Sequence, residues 1–266
     1  MPLKVATLNV RGLHAPATRL GEMTKRVALL RWVKVNKVDV LLLQETHATD
    51  KTSTDFWTQQ WGGQALWAPS NTPHSGGTAI LINRQVNGKL TNKSKAPDGS
   101  WARADLEVED GTFTLISAYA PSDPARRGEW LQNTFKPVLK HLEHPTIAGG
   151  DWNCVSNSLL DSTHPYAGLL QGGTTVDLLM AEQGLDDVLR CTQPDYRWYT
   201  RWEKLMGTGS TAFMPRGHCA SKPCTSPQTC ARGRTTTWWP ACSRPKMRGG
   251  SVRGRLQQSQ RTPTRK

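Results

Sequence analysis

Through the first part of the chain, hydrophobic residues come in short runs broken by polar and glycine-containing segments. Leu3–Val10 (LKVATLNV) reads as a buried strand that ends at Asn9 and turns at Arg11-Gly12. The stretch from Pro16 to Asn36 predicts a helix, with Leu20, Val27, Leu30 and Val33 on one face. Val38–Gln44 (VDVLLLQ) is almost continuously aliphatic, as expected of a central strand covered on both faces. Phe56, Trp57 and Trp61 fit a short helix. Leu66–Pro69 and Gly77–Ile82 are the next strand candidates, with Gly76-Gly77 as the turn before the second. Residues 87–99 read as a polar loop. In 101–108, Trp101, Arg103, Asp105 and Glu107 alternate with Ala102, Ala104, Leu106 and Val108, the signature of a strand. Asp110-Gly111 is a hairpin turn, and Thr112–Ala120 is the partner strand. A second helix is expected over 126–141, with Trp130, Phe135, Val138 and Leu139 inward. Thr146–Ala148 is a short strand ending at Gly149-Gly150-Asp151. Asp177–Gln183 reads as helix, and Val188 starts a further short element.

Strand ladders with helices inserted after some of them predict a layered α/β or α+β domain. The helices are too few and too unevenly spaced for a (β/α)8 barrel. Neither G-x-G-x-x-G nor G-x4-G-K-[ST] occurs, which removes the usual dinucleotide and P-loop readings.

Composition changes this picture mainly at the C-terminal end. The 266 residues are enough for one large domain or two small ones. The net charge is +13, which as an average points to a polyanionic partner. The excess is not spread evenly. Residues 205–266 hold 12 Lys and Arg and no Asp or Glu, leaving 22 basic and 21 acidic residues in 1–204. From Phe213 to Lys266 the only branched aliphatics are Val252 and Leu256. Such a segment buries too little apolar area to offset its ordering entropy. Residues 1–210 are therefore expected to form the domain, and 211–266 a disordered basic tail. Two other readings of the tail are a nucleic-acid-binding arm and translated sequence never selected to fold, as after a frameshift.

Cys154 and Cys191 lie in the first part, and Cys219, Cys224, Cys230 and Cys242 in the tail. Cys219-x4-Cys224 beside His218 is a partial zinc-finger match without the hydrophobic residues a finger packs. Neither a signal peptide nor an apolar run of about 18 residues is present. The expectation is an intracellular setting, the nucleus included, with no membrane partner and no small organic cofactor.

Four segments share one property. T7-L-N-V-R-G12, L43-Q-E-T-H47, S117-A-Y-A-P-S-D123 and A148-G-G-D-W-N153 each set a polar side chain at the C-terminal end of a hydrophobic strand. A sheet that aligns these ends would gather Asn9, Glu45, Tyr119, Asp151 and Asn153 at one rim, where ligands of α/β folds often bind. Each residue also has a plainer reading. Asn9 could cap a turn, Glu45 could be solvated, Tyr119 could be an ordinary strand residue, and Asp151 and Asn153 could form an Asx turn. Taken together they suit phosphodiester hydrolysis, which needs a hard cation against developing phosphorane charge. Carboxylate oxygens suit Mg²⁺ or Mn²⁺. Glu45 would be the principal ligand, and Asp151 would orient or deprotonate water. Asn153 and Tyr119 would donate to the phosphate. His47 would face the same side as Glu45 in an extended segment, as a substrate contact or as a turn residue.

These segments carry a family resemblance. L-N-V-R-G at 8–12, L-Q-E-T at 43–46, Y-A-P at 119–121 and G-G-D-W-N at 149–153 resemble, in order, the motifs of the endonuclease/exonuclease/phosphatase superfamily. The wording L-Q-E-T-H, with L-D-D-V-L-R and D-Y-R-W-Y-T over 185–200, is most similar to the apurinic-type endonuclease domains of non-LTR retrotransposons. The resemblance covers residues 3 to about 205. It implies a DNase I-like two-layer β-sandwich flanked by helices, with the site at one rim. It implies that Asn9 and Glu45 serve a Mg²⁺ or Mn²⁺ ion, that Tyr119 supports the phosphate, and that Asp151 and Asn153 handle the nucleophile and its target. Domains of this kind are hydrolases that nick DNA and leave a 3′-hydroxyl.

The family pattern continues with an S-R-I-D-R-like segment and ends in S-D-H. Here Phe213-Met214-Pro215-Arg216-Gly217-His218 stands where the first should begin. No Asp follows Asp195, and the last His, His218, is preceded by Gly217. The expectation is an incomplete domain over 1–210, with its last strands missing and its activity impaired. An inactive remnant or a non-specific nucleic-acid-binding protein is the alternative.

Overall fold

The computed structural model describes residues 3–13, 20–162 and 172–197, with backbone only at 20–26, and the backbones of four further strands at 201–203, 206–208, 212–215 and 237–240. Two β-sheets lie face to face. The first contains β1 (Lys4–Asn9), β2 (Val40–Gln44), β3 (Gln64–Ala68), β4 (Thr78–Ile82) and β13 (Thr237–Pro240), in the order β13-β1-β2-β4-β3. The second contains β5 (Gly88–Lys95), β6 (Trp101–Val108), β7 (Gly111–Tyr119), β8 (Thr146–Asp151), β9 (Leu185–Asp187) and β12 (Ala212–Pro215), in the order β5-β6-β7-β8-β12-β9. A separate hairpin joins β10 (Arg201–Glu203) to β11 (Met206–Thr208).

Alternation along each strand builds three apolar layers. Val5, Val40, Leu42, Ile80 and Ile82 meet Ala104, Leu106, Leu115 and Ile147 between the sheets. Ala6, Leu41, Leu43 and Leu81 point the other way, onto helices α1 (Leu20–Asn36) and α2 (Lys51–Trp61). Ile116, Ala118 and Ala148 form the outer face of the second sheet. They are covered by α3 (Pro124–Trp130), the turns that follow it, and α4 (Gly173–Glu182). β2 is buried on both faces, which is why its sequence hardly alternates in polarity. The two sheets with flanking helices are the architecture the sequence led us to expect.

Several local expectations change. Val27 is 62% exposed, and the inner face of α1 is instead Leu29, Trp32 and Val33. Trp32, half-buried against this layer, takes up part of the face that aliphatic residues alone suggested. The polar stretch 87–99 contains β5, an edge strand in which Leu90 is buried and 92–95 face solvent. Edge strands tolerate polar residues because one side meets water. Gln64 of β3 closes part of that edge, donating to Gly88 O at 2.7 Å and accepting from Leu90 N–H at 2.9 Å. The helix expected over 126–141 runs as α3, then a π turn at Leu131–Phe135 and a 3-10 turn at Lys136–Leu139. Pro137 has no N–H to donate and its ring crowds the preceding turn, so the regular ladder cannot continue. Its expected inner residues, Trp130, Phe135, Val138 and Leu139, are all buried.

Two short strands fall inside the stretch expected to be a tail. β12 pairs antiparallel with β8 and β9, and β13 pairs parallel with β1. The rest of 211–266, including Cys219, Cys224, Cys230, Cys242 and His218, lies outside the described residues. Among the described residues no helix is long and apolar enough to cross a membrane.

Asp187 ends β9 and caps α5 (Val188–Thr192), accepting from Leu189 N–H at 2.8 Å and Arg190 N–H at 3.1 Å. Burial pushes its carboxyl up to about 6 from 3.8, against the lowering effect of those two bonds and of the Arg190 charge. A carboxyl that binds its proton more tightly when folded stabilises the fold below its unfolded pKa and loses that contribution as pH rises through about 6. Asp187→Asn keeps a good helix cap and removes the buried charge. It is expected to stabilise the protein at pH 7 by about 1–2 kcal/mol, with the gain vanishing below about pH 4. Urea unfolding at both pH values measures this.

Candidate active site

β1, β2, β7 and β8 all end at the same rim, and their registers set the site. β1 and β2 run parallel with Asn9 opposite Gln44, and β7 and β8 run parallel with Tyr119 opposite Asp151. The first sheet thus delivers Asn9 and Glu45, and the second delivers Tyr119, Asp151 and Asn153.

Beyond the strands the chain stays bonded. Val10 N–H donates to Gln44 O at 2.9 Å, and Leu13 N–H donates to Thr46 O at 2.9 Å. Thr46 and His47 N–H donate to the carbonyls of Gly77 and Gly76 at 3.0 and 3.1 Å. A Cβ on Gly77 would sit 2.5 Å from Thr46 Oγ1, so glycine is required for this approach. Glu45, His47, Arg11 and Asn153 have φ of 51°, 57°, 45° and 50°. Non-glycine residues adopt this left-handed region at a cost, and they persist there when surrounding bonds over-determine them. The four cluster at this rim. The segment at 45–47 is therefore not extended, yet His47 Nε2 still lies 3.6 Å from Glu45 Oε2.

The centre of the site is one side-chain amide. Asn9 Nδ2 donates to Glu45 Oε1 at 2.8 Å and to Asp151 Oδ2 at 2.7 Å. Its Oδ1 accepts from Arg11 N–H at 3.0 Å, which fixes the direction of the amide. Asn9 thus presents protons to two carboxylates and holds them together across the two sheets. Asp151 Oδ1 accepts from Asn153 N–H at 3.0 Å, and Asn153 Nδ2 donates to Ala120 O at 2.7 Å. The Asx turn considered from the sequence is therefore present, and it aims the second oxygen of Asp151 into the site. Burial raises the pKa of Tyr119 well above its ordinary value, helped by the Glu45 carboxylate that its hydroxyl bonds. That phenol stays protonated, with its one O–H given to Glu45.

All five residues expected from the sequence meet here. His47 joins them against Glu45, and Gly12 packs beneath it, since a Cβ there would be 2.8 Å from His47 Nδ1. Arg127 gave no signal in the sequence, because an arginine on a helix is ordinarily solvated. It is 1% exposed, and its Nη1 donates to Pro121 O and Ser122 O at 3.1 Å each, holding the turn after Tyr119. Cys154 is close by, but burial pushes its thiol up to about 12, far from a reactive thiolate.

Among the described residues no group of three or more His, Cys, Asp or Glu forms a metal cage. The donors present are nonetheless hard oxygens, two carboxylates sharing one amide. A small divalent cation is commonly bound through one or two carboxylates, with substrate phosphate and water completing its shell. The residues fit such an ion.

A family model described as Endonuclease/Exonuclease/phosphatase family matches residues 6–249. The chain is 30% identical over 151 residues to an RNA-directed DNA polymerase from mobile element jockey of Drosophila melanogaster, a match covering 57% of this chain and 15% of that protein. The chain thus spans a small part of that relative. An AP endonuclease from Archaeoglobus fulgidus superposes with TM-score 0.63 at 19% identity, covering 80% of this chain and 86% of that one. The endonuclease domain of TRAS1, a telomere-specific non-LTR retrotransposon, superposes with TM-score 0.52 at 15% identity, covering 80% and 85%. The structural likenesses concern the fold.

Proposed function

This chain belongs to the endonuclease/exonuclease/phosphatase family, and from that premise we propose that it hydrolyses phosphodiesters with Mg²⁺ or Mn²⁺, nicking DNA as a retroelement-type endonuclease. The observation that carries this reading is Asn9 Nδ2 bonded to both Glu45 and Asp151. Two carboxylates held this close create a locus of negative potential that a divalent cation relieves.

Glu45 holds the cation, and Asn9 serves it by fixing the carboxylate. When bound, the ion neutralises charge on the phosphate oxygens. Asp151, aimed by its bond from Asn153 N–H, orients the attacking water and takes its proton. Tyr119 turns its O–H from Glu45, and Asn153 turns an amide proton from the Tyr119 hydroxyl, to the phosphate as charge grows. The terminal S-D-H motif does not occur within these 266 residues, since no Asp follows Asp195. Loss of such a partner costs on the order of 10²–10⁴ in rate. The activity proposed for these 266 residues on their own is therefore weak.

The basic excess of 205–266 favours a second reading, nucleic-acid binding without catalysis. Purified protein and supercoiled plasmid separate the two. Slow nicking with Mg²⁺ is expected, absent with EDTA and absent in Glu45→Ala. Plasmid binding with a steep salt dependence and no nicking at any metal concentration would replace the endonuclease reading with the binding one.

A further inference from the structure

Beneath the rim lies a polar circuit in the middle of the apolar sandwich. Gln44, 1% exposed, closes β2. Its Nε2 donates to Thr7 Oγ1 of β1 and to Ser117 Oγ of β7, at 3.1 Å each. Thr7 Oγ1 lies 3.3 Å from Gln44 Oε1. Ser117, fully buried, donates its hydroxyl back to Leu43 O at 2.9 Å. The circuit crosses the gap between the sheets in both directions. Gly149 of β8 stands opposite Ser117 in register, and a Cβ on it would be 2.8 Å from Leu42 Cδ1 and 3.1 Å from Thr7 Cβ. The sheets approach here more closely than a side chain on Gly149 allows.

Thr7, Ser117 and Gly149 each stand two residues before Asn9, Tyr119 and Asp151. Two residues along a strand return to the same face, about 6.6 Å further on. The circuit is thus the layer directly below the site, on the same strands. Apolar contact alone is non-directional and leaves two facing sheets free to slide. Hydrogen bonds fix distance and direction, and a fully satisfied buried network specifies one arrangement.

We infer that Gln44, with Ser117 and Thr7, is a positioning residue. It locks the slide of one sheet over the other, so that Glu45 from the first and Asp151 from the second both reach Asn9. The consequence for chemistry rests on the metal phosphodiesterase reading above. The geometry does not.

The test uses the full chain. Gln44→Met keeps the length and removes the polar atoms. Ser117→Ala removes one arm, and Ser117→Thr restores the hydroxyl. The Asn9 side-chain amide resonances, assigned by their loss in Asn9→Asp, report the two carboxylate bonds directly by ¹⁵N NMR. Those resonances are expected to shift in Gln44→Met and in Ser117→Ala, and to return toward the native position in Ser117→Thr. Affinity for Mn²⁺, followed by its paramagnetic resonance, and kcat are expected to fall about 10–100-fold with KM for DNA little changed. Asn9 resonances that stay in place in a variant folded by circular dichroism would overturn the inference. Losses no larger than the unfolded fraction would also overturn it. A wild-type protein that neither binds Mn²⁺ nor nicks DNA would sink the catalytic reading, while the Asn9 resonances would still decide the positioning role.

Discussion

Asp151→Asn is expected to remove metal-dependent nicking by about a thousandfold or more while leaving the fold intact. The expectation follows from what each oxygen does. Oδ1 accepts from Asn153 N–H and Oδ2 accepts from the Asn9 amide. An asparagine can keep only one of these bonds, because its NH₂ cannot accept. If it keeps the bond to Asn153, its NH₂ faces the NH₂ of Asn9. In either orientation the group that takes a proton from water is gone. Stability should move the other way. Glu45 and Asp151 are two carboxylates bound to one amide nitrogen, an arrangement of like charges that costs free energy unless a cation offsets it. Removing one of them is expected to leave Tm unchanged or to raise it, as is common when an active-site charge is neutralised. Nicking assays beside thermal unfolding separate this outcome from simple misfolding. A mutant that nicks at the native rate would remove Asp151 from the mechanism, and one that unfolds would show it to be structural.

The largest effect on stability is expected at Trp152→Ala, at about 3–5 kcal/mol. Trp152 lies between the two site residues Asp151 and Asn153, but it points the other way and is 2% exposed. Its ring meets Phe135 edge-on at 5.3 Å, and Phe135 stacks on Trp130 at 5.1 Å. Truncation leaves a cavity under the layer that covers the second sheet, and it breaks an aromatic pair worth more than its area. A domain with a typical stability of about 5–15 kcal/mol would lose much of its margin. Trp152→Phe should recover part of the loss. Urea unfolding gives the difference, and equal midpoints for Trp152→Ala and the native chain would contradict this packing account.

The two predictions fall on neighbouring residues with opposite roles, and the reason was partly visible in the sequence. In G-G-D-W-N, alternation separates Asp151 from Trp152, and the Asx turn after the strand brings Asn153 back beside Asp151. Other features were hidden. Val27 looked like a core position, yet it is exposed and α1 turns Leu29, Trp32 and Val33 inward. The polar composition of β5 hid an edge strand, because its exposed side mimics a loop. Arg127 gave no signal, and only the packed structure shows that its Nη1 meets the Pro121 and Ser122 carbonyls and that Gln44 Nε2 meets the Thr7 and Ser117 hydroxyls.

The sequence by itself determined the family, the two-sheet architecture and the five residues of the candidate site. The family and the two-sheet architecture came through the resemblance of four ordered motifs, while the strand-end residues follow from local rules: alternation with period two, turn residues after strands, and polar groups at strand ends. Which atoms touch was decided by tertiary structure. Asn9 and Asp151 are 142 positions apart. They share a hydrogen bond because two sheets pack face to face at a glycine-thin approach with one fixed slide. That slide depends on directional bonds between strands distant in sequence. No pattern along a single strand encodes such contacts, which is why the strand-end residues were legible and the amide that unites them was not.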